Sequence, residues 1–307
     1  MAFRVLASDP LAASAIAQMR DAGLTVDEKT DLTPEQLKAE LSAHDAVVIR
    51  SATKLRAEVL EGVEGLKLIV RAGVGLDNVD VEYAESNGIT VRNTPSASSN
   101  SVAELALAHM FSLARFIGRG TVSMKEGKWE KKALKGVEID GKTLGIVGIG
   151  RIGQSLATKA NALGMSVVAY DAYINESPLP EIVRMVDFDQ LLAESDFISL
   201  HIPFDPKVGA TIGAPEFAKM KDGVRIVNCA RGGTVDEDAL VVALSDGKVA
   251  GAALDVFATE PPAPEHPIFR AENVSFTPHI GASTKEAQAR VGQEAAQIVI
   301  DFAAEQS

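Results

Sequence analysis

The stretch Thr143-Leu144-Gly145-Ile146-Val147-Gly148-Ile149-Gly150-Arg151-Ile152-Gly153 decides the fold of this chain. Its first half is an apolar run of strand character, and its second half is G-x-G-x-x-G. A helical pattern begins at the third glycine and covers 154–163. A second strand, 166–170, follows and ends in Asp171, eighteen positions past Gly153. That spacing is close to the roughly 20 residues of a dinucleotide site. Gly148 permits the tight turn, Gly150 lets backbone approach a pyrophosphate, and Gly153 lets helix and strand pack closely. The helix N-terminus adds free N–H groups and a positive dipole end. Asp171 would accept hydrogen bonds from an adenosine ribose and repel a 2′-phosphate, which favours NAD over NADP. A glycine turn without a ligand is the weaker reading, because strand, helix and acidic residue are all in place.

Working outward, strand patterns at 3–9, 46–51, 66–73 and 89–95 precede this motif. A helix at 11–22 and further helical segments separate them. Such alternation builds a parallel sheet with crossover helices. The run Leu66-Lys67-Leu68-Ile69-Val70 is nearly all apolar, as strands covered on both faces are. The rhythm breaks after Pro95. Ser98, Ser99 and Asn100 are candidate N-caps, with Glu104 in the first turn of a long apolar helix to about residue 117. The segment 118–141 reads as irregular and basic and holds the sole tryptophan, Trp129. A second strand–helix series runs over 143–279, and a last helix over 283–305. The expected fold class is α/β, with two Rossmann-like parallel-sheet domains. Boundaries near 96 and 284 make 97–283 a cofactor domain inserted into a discontinuous substrate domain, 1–96 with 284–307. The final helix then returns to the first domain.

Composition agrees with an enzyme of two domains. The chain has 307 residues, 46% hydrophobic and 23% charged. That excludes a disordered or collagen-like chain. With 30 basic and 42 acidic residues, the net charge is −12. A negative field argues against nucleic-acid or anionic-membrane partners, and an anionic substrate would need a local cationic pocket. The single cysteine, Cys229, cannot form an internal disulfide, which fits a reducing, cytoplasmic setting. The opening MAFRVLASDP lacks a signal-peptide layout. The most apolar helical stretch, 101–117, carries Glu104, His109 and Arg115. It is too polar and slightly short for a membrane span of about 20 residues.

Three further stretches follow predicted strands of the second series. They are Asn228-Cys229-Ala230-Arg231-Gly232-Gly233, then Ala253-Leu254-Asp255-Val256-Phe257 leading to Glu260-Pro261-Pro262, and Thr277-Pro278-His279-Ile280-Gly281-Ala282-Ser283. Open α/β sheets bind ligands at these C-terminal strand ends. Arg231, Glu260 and His279 are each ordinary alone: a surface arginine, a solvated glutamate, one histidine among five. Only their shared position marks them as a candidate catalytic group. No metal is expected.

These stretches, with the glycine loop, resemble the D-isomer-specific 2-hydroxyacid dehydrogenases. The likeness extends to Ile49-Arg50-Ser51-Ala52-Thr53-Lys54, to Arg71-Ala72-Gly73-Val74-Gly75-Leu76-Asp77-Asn78-Val79-Asp80, and to Met124-Lys125-Glu126-Gly127-Lys128-Trp129-Glu130. It therefore covers nearly the whole chain. The resemblance implies the inserted-domain fold and hydride transfer between NAD and a small 2-hydroxy acid. It also implies a homodimer built on the long helix after Ser98 and the arm through Trp129. Arg231 would grip the substrate carboxylate and carbonyl, His279 would be the general acid/base, and Glu260 would orient it. Asp255 would help position the nicotinamide. Arg151, Ile152, Ile202, Cys229 and Ala230 would line the cofactor, with Gly281, Ala282 and Val74. Substrate contacts would come from Arg50, Ser51, Arg71, Gly73, Val74 and Gly75.

Within the family, the basic set Arg50, Arg71, Lys131 and Lys132 points to members acting on a phosphorylated hydroxy acid. Many of those carry an arginine after Trp-Glu in the arm. Here Lys131 stands there, a point charge that cannot pair with phosphate bidentately. Many also continue into C-terminal regulatory domains, whereas this sequence ends at Ser307. The competing readings are a glyoxylate or hydroxypyruvate reductase, a D-lactate dehydrogenase, and a non-catalytic NAD-sensing scaffold. The complete Arg231, Glu260 and His279 set weighs against the last.

Overall fold

The computed structural model describes residues 3–306. Two compact units emerge. Unit 1 is the chain up to Ser99 together with the stretch from Ala282 onward, and unit 2 is Asn100–Gly281. The two sheets are wholly parallel, as the alternating sequence predicts.

In unit 1, β1 (Arg4–Ala7), β2 (Thr25–Glu28), β3 (Ala46–Ile49), β4 (Leu68–Arg71) and β5 (Thr90–Asn93) lie in the order β2-β1-β3-β4-β5. Alternation along the strands sends Val5, Val48, Leu68 and Val70 to one core and Leu6, Val47, Ile49 and Ile69 to the other. Helix α1 (Ala13–Asp21) and the closing helix Lys285–Glu305 cover the first face. The closing helix buries Ala287, Val291, Ala295, Ala296, Val299 and Ala303. That is the stripe expected of an amphipathic helix. Gly292 lets it approach α1, since a Cβ there would meet Ala15 Cβ at 3.1 Å. On the second face, α2 (Pro34–Leu41) starts with a capping box between Thr33 and Gln36. Helices α3 (Ala57–Leu60) and α4 (Val81–Ser86) complete that layer.

Unit 2 opens with α5 (Ser99–Arg115). Phe116 then turns left-handed at φ 54°, and α6 (Ile117–Lys125) continues at a bend of 64°. The expectation of an irregular 118–141 is therefore corrected over its first third. Gly118 and Gly120 lower helix propensity, but propensity is a weak prior that tertiary context overrides, here with Ser123 buried and Arg119 paired to Glu130 and Glu272. The sheet contains β6 (Thr143–Val147), β7 (Ser166–Tyr170), β8 (Val183–Met185), β9 (Phe197–Leu200), β10 (Val224–Asn228), β11 (Val249–Leu254) and β12 (Val274–Phe276). Their order is β12-β11-β10-β9-β6-β7-β8. Strand order reverses between β6 and β9, the place where such sheets bind ligands. Helices α5 and α7 (Arg151–Ala162) pack in one apolar core of this unit. Helices α8 (Phe188–Glu194), α9 (Ala214–Lys219) and α10 (Glu237–Ser245) pack in the other. No single helix among the described residues is long and apolar enough to cross a membrane.

His201 follows β9 at this reversal and donates its amide to Val147 O at 2.8 Å. Nε2 meets Ser199 Oγ at 2.9 Å, while Nδ1 is buried without a hydrogen-bond partner. Burial pushes the imidazole pKa down to about 4. The unfolded chain, with a histidine near 6.5, therefore binds a proton that the folded chain refuses until about pH 4. Stability from this group is complete above pH 6.5 and falls as pH drops toward 4, by about 3 kcal/mol in all. Denaturant unfolding across that window should show the loss, and His201→Gln should flatten it. An unchanged slope in the variant would assign the acid sensitivity elsewhere.

Candidate active site

The glycine loop sits at the sheet reversal of unit 2. Gly148 adopts φ +95°, and a Cβ there would lie 2.7 Å from the His201 carbonyl oxygen and 2.8 Å from Ile202 Cγ2. A Cβ on Gly153 would meet Gly148 O at 2.3 Å, so loop and helix fit only without side chains. Beside Gly150 there is open space: a Cβ would find nothing within 4 Å. Gly150 also caps α7 without a side-chain acceptor. An open approach onto uncapped helix N–H groups is what a pyrophosphate requires. The helix starts at Arg151, earlier than the sequence pattern indicated.

Asp171 follows β7, and its carboxylate has a structural duty as well. Oδ2 accepts from Ile149 N at 2.9 Å, inside the glycine loop. Oδ1 accepts from Tyr173 N at 2.9 Å and Ile174 N at 3.2 Å. A carboxylate offers about four lone-pair sites, so capacity remains for a ribose hydroxyl. The residues present fit a dinucleotide with a free 2′-hydroxyl. Ile202 is partly buried and Arg151 exposed at the loop. Cys229 and Ala230 are buried just beyond β10. Burial pushes the Cys229 thiol well above its ordinary value, so it is an inert wall.

The acid/base candidates are built from the ends of β11 and β12. His279 Nδ1 lies 2.7 Å from Glu260 Oε2. The other carboxylate oxygen accepts from Phe257 N at 3.0 Å, which fixes Glu260 against its own loop. A carboxylate only accepts here, so Nδ1 carries the proton and Nε2 is left for chemistry. His279 has φ 52°, rare for a residue with a side chain. The buried Asp255 holds that turn. Its Oδ1 accepts from Thr277 Oγ1 at 2.6 Å and Ile280 N at 2.8 Å, and its Oδ2 from Gly281 N at 2.9 Å. The sequence reading gave Asp255 to the nicotinamide. Its three carboxylate contacts in this structure are all to the histidine turn.

Arg231 is placed by Asn228. Asn228 Nδ2 donates to Arg231 O at 3.0 Å and to Thr234 Oγ1 at 3.0 Å, and its Oδ1 accepts from Ala230 N at 3.1 Å. Gly232 presses on the Glu260 loop, where a Cβ would come within 1.8 Å of Phe257 O. Arg231, Glu260 and His279 thus stand on neighbouring backbone segments of one unit.

The substrate candidates of unit 1 also stand at strand ends. Arg50 follows β3, and its amide donates to Asp9 Oδ2 at 2.5 Å. Asp9 also takes Thr53 N at 3.2 Å and Thr53 Oγ1 at 2.9 Å. From the other side, Asn78 Nδ2 donates to Arg50 O at 2.7 Å and Thr53 O at 2.6 Å. Ser51 lies exposed within this pinned loop. Arg71 ends β4 and folds back over Gly73, with its guanidinium where a Cβ of residue 73 would be. Val74 O accepts from Asn93 Nδ2 at 2.5 Å, and Gly75 follows it in the same loop. Ala282 begins the return segment of unit 1. Lys131 is exposed in the arm of unit 2. Sequence reasoning missed Asp9 and Asn78, although both stand in segments that follow strands, Asp9 after β1 and Asn78 after β4. Among the described residues, no group of three His, Cys, Asp or Glu side chains is placed to hold a metal ion.

Because Asp171 braces the glycine loop and keeps acceptor capacity for a ribose hydroxyl, Asp171→Ala should weaken NAD⁺ binding and relatively improve NADP⁺. Comparing kcat/KM for both cofactors checks this. A wild-type enzyme faster with NADP⁺ than NAD⁺ at equal subsaturating levels would contradict the role of Asp171.

Comparison with known proteins agrees with this geometry. Residues 107–281 match the D-isomer specific 2-hydroxyacid dehydrogenase NAD binding domain. The D-3-phosphoglycerate dehydrogenase of Archaeoglobus fulgidus is 47% identical over 301 residues, which cover 98% of this chain and 57% of that one. The chain thus spans little more than half the length of that relative. The hydroxypyruvate reductase of Thermotoga maritima is 50% identical over 299 residues, 95% of both chains. Among solved structures, a glyoxylate reductase from Paecilomyes thermophila superposes with TM-score 0.91 at 30% identity, covering 100% of this chain and 97% of that one. The D-lactate dehydrogenase of Aquifex aeolicus, complexed with NAD and lactic acid, gives 0.84 at 31%, covering 98% and 96%. The chain belongs to the D-isomer specific 2-hydroxyacid dehydrogenases, and NAD is the cofactor of the domain it carries.

Proposed function

We propose that this chain oxidises 3-phospho-D-glycerate to 3-phosphohydroxypyruvate, the entry step to serine, and catalyses the reverse reduction. The observation that carries the chemistry is the 2.7 Å contact between His279 Nδ1 and Glu260 Oε2 in the NAD-binding unit. NAD, when bound, supplies the hydride acceptor. In the oxidative direction, His279 Nε2 takes the C2 hydroxyl proton while Glu260 stabilises the imidazolium that forms. Arg231 offers a planar fork of donors for the carboxylate and the developing carbonyl. Relatives of this name at 46–47% identity support the phosphorylated substrate. Arg50 and Arg71 are the cations proposed to bind its phosphate, with Lys131 of the arm as a weaker contributor.

A homodimer is part of the proposal. Ile117, Val122, Met124 and Trp129 leave large apolar side chains in water on α6 and the arm, Trp129 with 78% of its surface exposed. Such a patch supports association. A second substrate reading also has a specific observation behind it. The hydroxypyruvate reductase relative is 50% identical along nearly its whole length, and such an enzyme needs no phosphate clamp. Assays of NADH consumption with phosphohydroxypyruvate, hydroxypyruvate and glyoxylate separate the two. Equal efficiency with all three would favour the reductase.

His279→Ala should lower kcat by about 10²–10⁴-fold, the usual worth of a positioned acid/base, with NADH affinity kept. Unchanged kcat would remove His279 from the proton transfer. A charge-assisted hydrogen bond contributes about 1.5–3 kcal/mol, or roughly 10- to 150-fold in affinity. Arg50→Ala and Arg71→Ala should raise KM for phosphohydroxypyruvate by that order and leave KM for NADH nearly unchanged. A KM unaffected in both variants would leave the phosphate without its proposed partners.

A further inference from the structure

His109 lies on α5, the long apolar helix, and is almost fully buried. Nothing in the proposed chemistry uses it. Its ring bridges two hydroxyls at the end of the sheet's edge strand. Nδ1 is 3.0 Å from Ser275 Oγ, and Nε2 is 3.0 Å from Thr277 Oγ1. Thr277 Oγ1 is in turn 2.6 Å from Asp255 Oδ1. The proton positions follow from donor and acceptor capacity. Asp255 accepts, so the single Thr277 hydroxyl proton points to it. Thr277 Oγ1 can then only accept from His109, so Nε2 carries the ring proton. Burial pushes His109 below the usual histidine value, against the pull of Asp255, and keeps the ring neutral. Nδ1 is left to accept from Ser275. Every polar atom of this buried group is satisfied in one direction, from Ser275 through His109 and Thr277 to Asp255.

That chain ends on the carboxylate that fixes the catalytic turn. Asp255 takes the amides of Ile280 and Gly281, and its backbone oxygen takes the amide of His279 at 2.8 Å. The edge strand has only three residues and one neighbouring strand, β11. Backbone pairing alone holds it weakly, and the turn after it carries a left-handed histidine. We propose that His109 is a positioning residue for His279, acting through Thr277 and Asp255 to hold the left-handed turn that aims Nε2. The inference rests on the reading of His279 as the acid/base. It predicts a loss of rate rather than of binding, because a misaimed acid/base costs transition-state stabilisation while the glycine loop is untouched.

The test compares His109→Leu, which removes both polar contacts, with His109→Gln, whose amide restores one donor and one acceptor. Leu should lower kcat about 10-fold with KM for NADH unchanged, and Gln should recover most of the rate. In the protein without cofactor, the downfield proton resonance of His279 Nδ1–H, assigned by its loss in His279→Ala, should persist in Gln and broaden in Leu. Thr277→Val should match His109→Leu, Thr277→Ser should behave as wild type, and the Leu/Val double variant should be no slower than the slower single, since both cut one chain. A folded His109→Leu with wild-type kcat and a sharp His279 resonance overturns the proposal. If His109→Leu does not fold, the Thr277 pair decides: wild-type kcat in Thr277→Val overturns it, and a slow Val with a normal Ser supports it. Full activity in His279→Ala would instead defeat the underlying acid/base reading, so the two failures are distinguishable.

Discussion

The site depends on one buried carboxylate. Asp255 gathers the Thr277 hydroxyl and the amides of Ile280 and Gly281, and so holds His279 at a positive φ that its side chain disfavours. Removing a charge from water is costly unless it is well hydrogen-bonded, and three donors meet that cost here. The same bonds hold the turn in place where the proposed acid/base chemistry would need precision. Glu260 then only has to meet a ring whose backbone is already fixed.

Unit 1 repeats the device on a smaller scale. Asp9 and Asn78 grip the two sides of the loop that begins at Arg50, one by its N–H groups and one by its carbonyls. In both units a strand delivers a residue to the sheet's C-terminal edge. A buried polar side chain from a neighbouring strand end or loop then sets the backbone of the functional segment. The chain carries a net charge of −12, so cations that bind an anionic substrate work against the global field. If Arg50 binds an anion as proposed, fixing its loop would lower the entropy lost on binding and offset part of that opposition.

Much of this was legible in the sequence because it is written in local patterns. The strand, glycine loop, helix and Asp171 have fixed spacing, and continuous apolar runs mark the buried strands. Arg231, Glu260 and His279 could be picked out only by their shared place after strands. What escaped was whatever depends on non-local geometry. His109 looked like one histidine among apolar neighbours, since its partners at Ser275 and Thr277 lie more than 160 positions away. The bonds of Asp255 to the histidine turn also escaped, because sequence gives its place just after β11 but not the direction of its bonds. Asp171 was read correctly as an acidic residue at a strand end, yet its bond to Ile149 could not be seen. Helix α6 was hidden by Gly118 and Gly120, whose poor propensity is overridden by tertiary contacts that sequence does not show.

The most direct measurement is amide hydrogen exchange on Asp255→Asn alongside its turnover. An asparagine keeps the volume but replaces one acceptor oxygen with a donor, which must face an N–H or hydroxyl that now lacks a partner. The account predicts that Ile280 and Gly281 lose protection, that the amides of β6 and β10 keep theirs, and that kcat falls while NADH affinity holds. Protected Ile280 and Gly281 amides with wild-type kcat would contradict the claim that Asp255 sets the turn of His279 and that this turn serves the proposed chemistry.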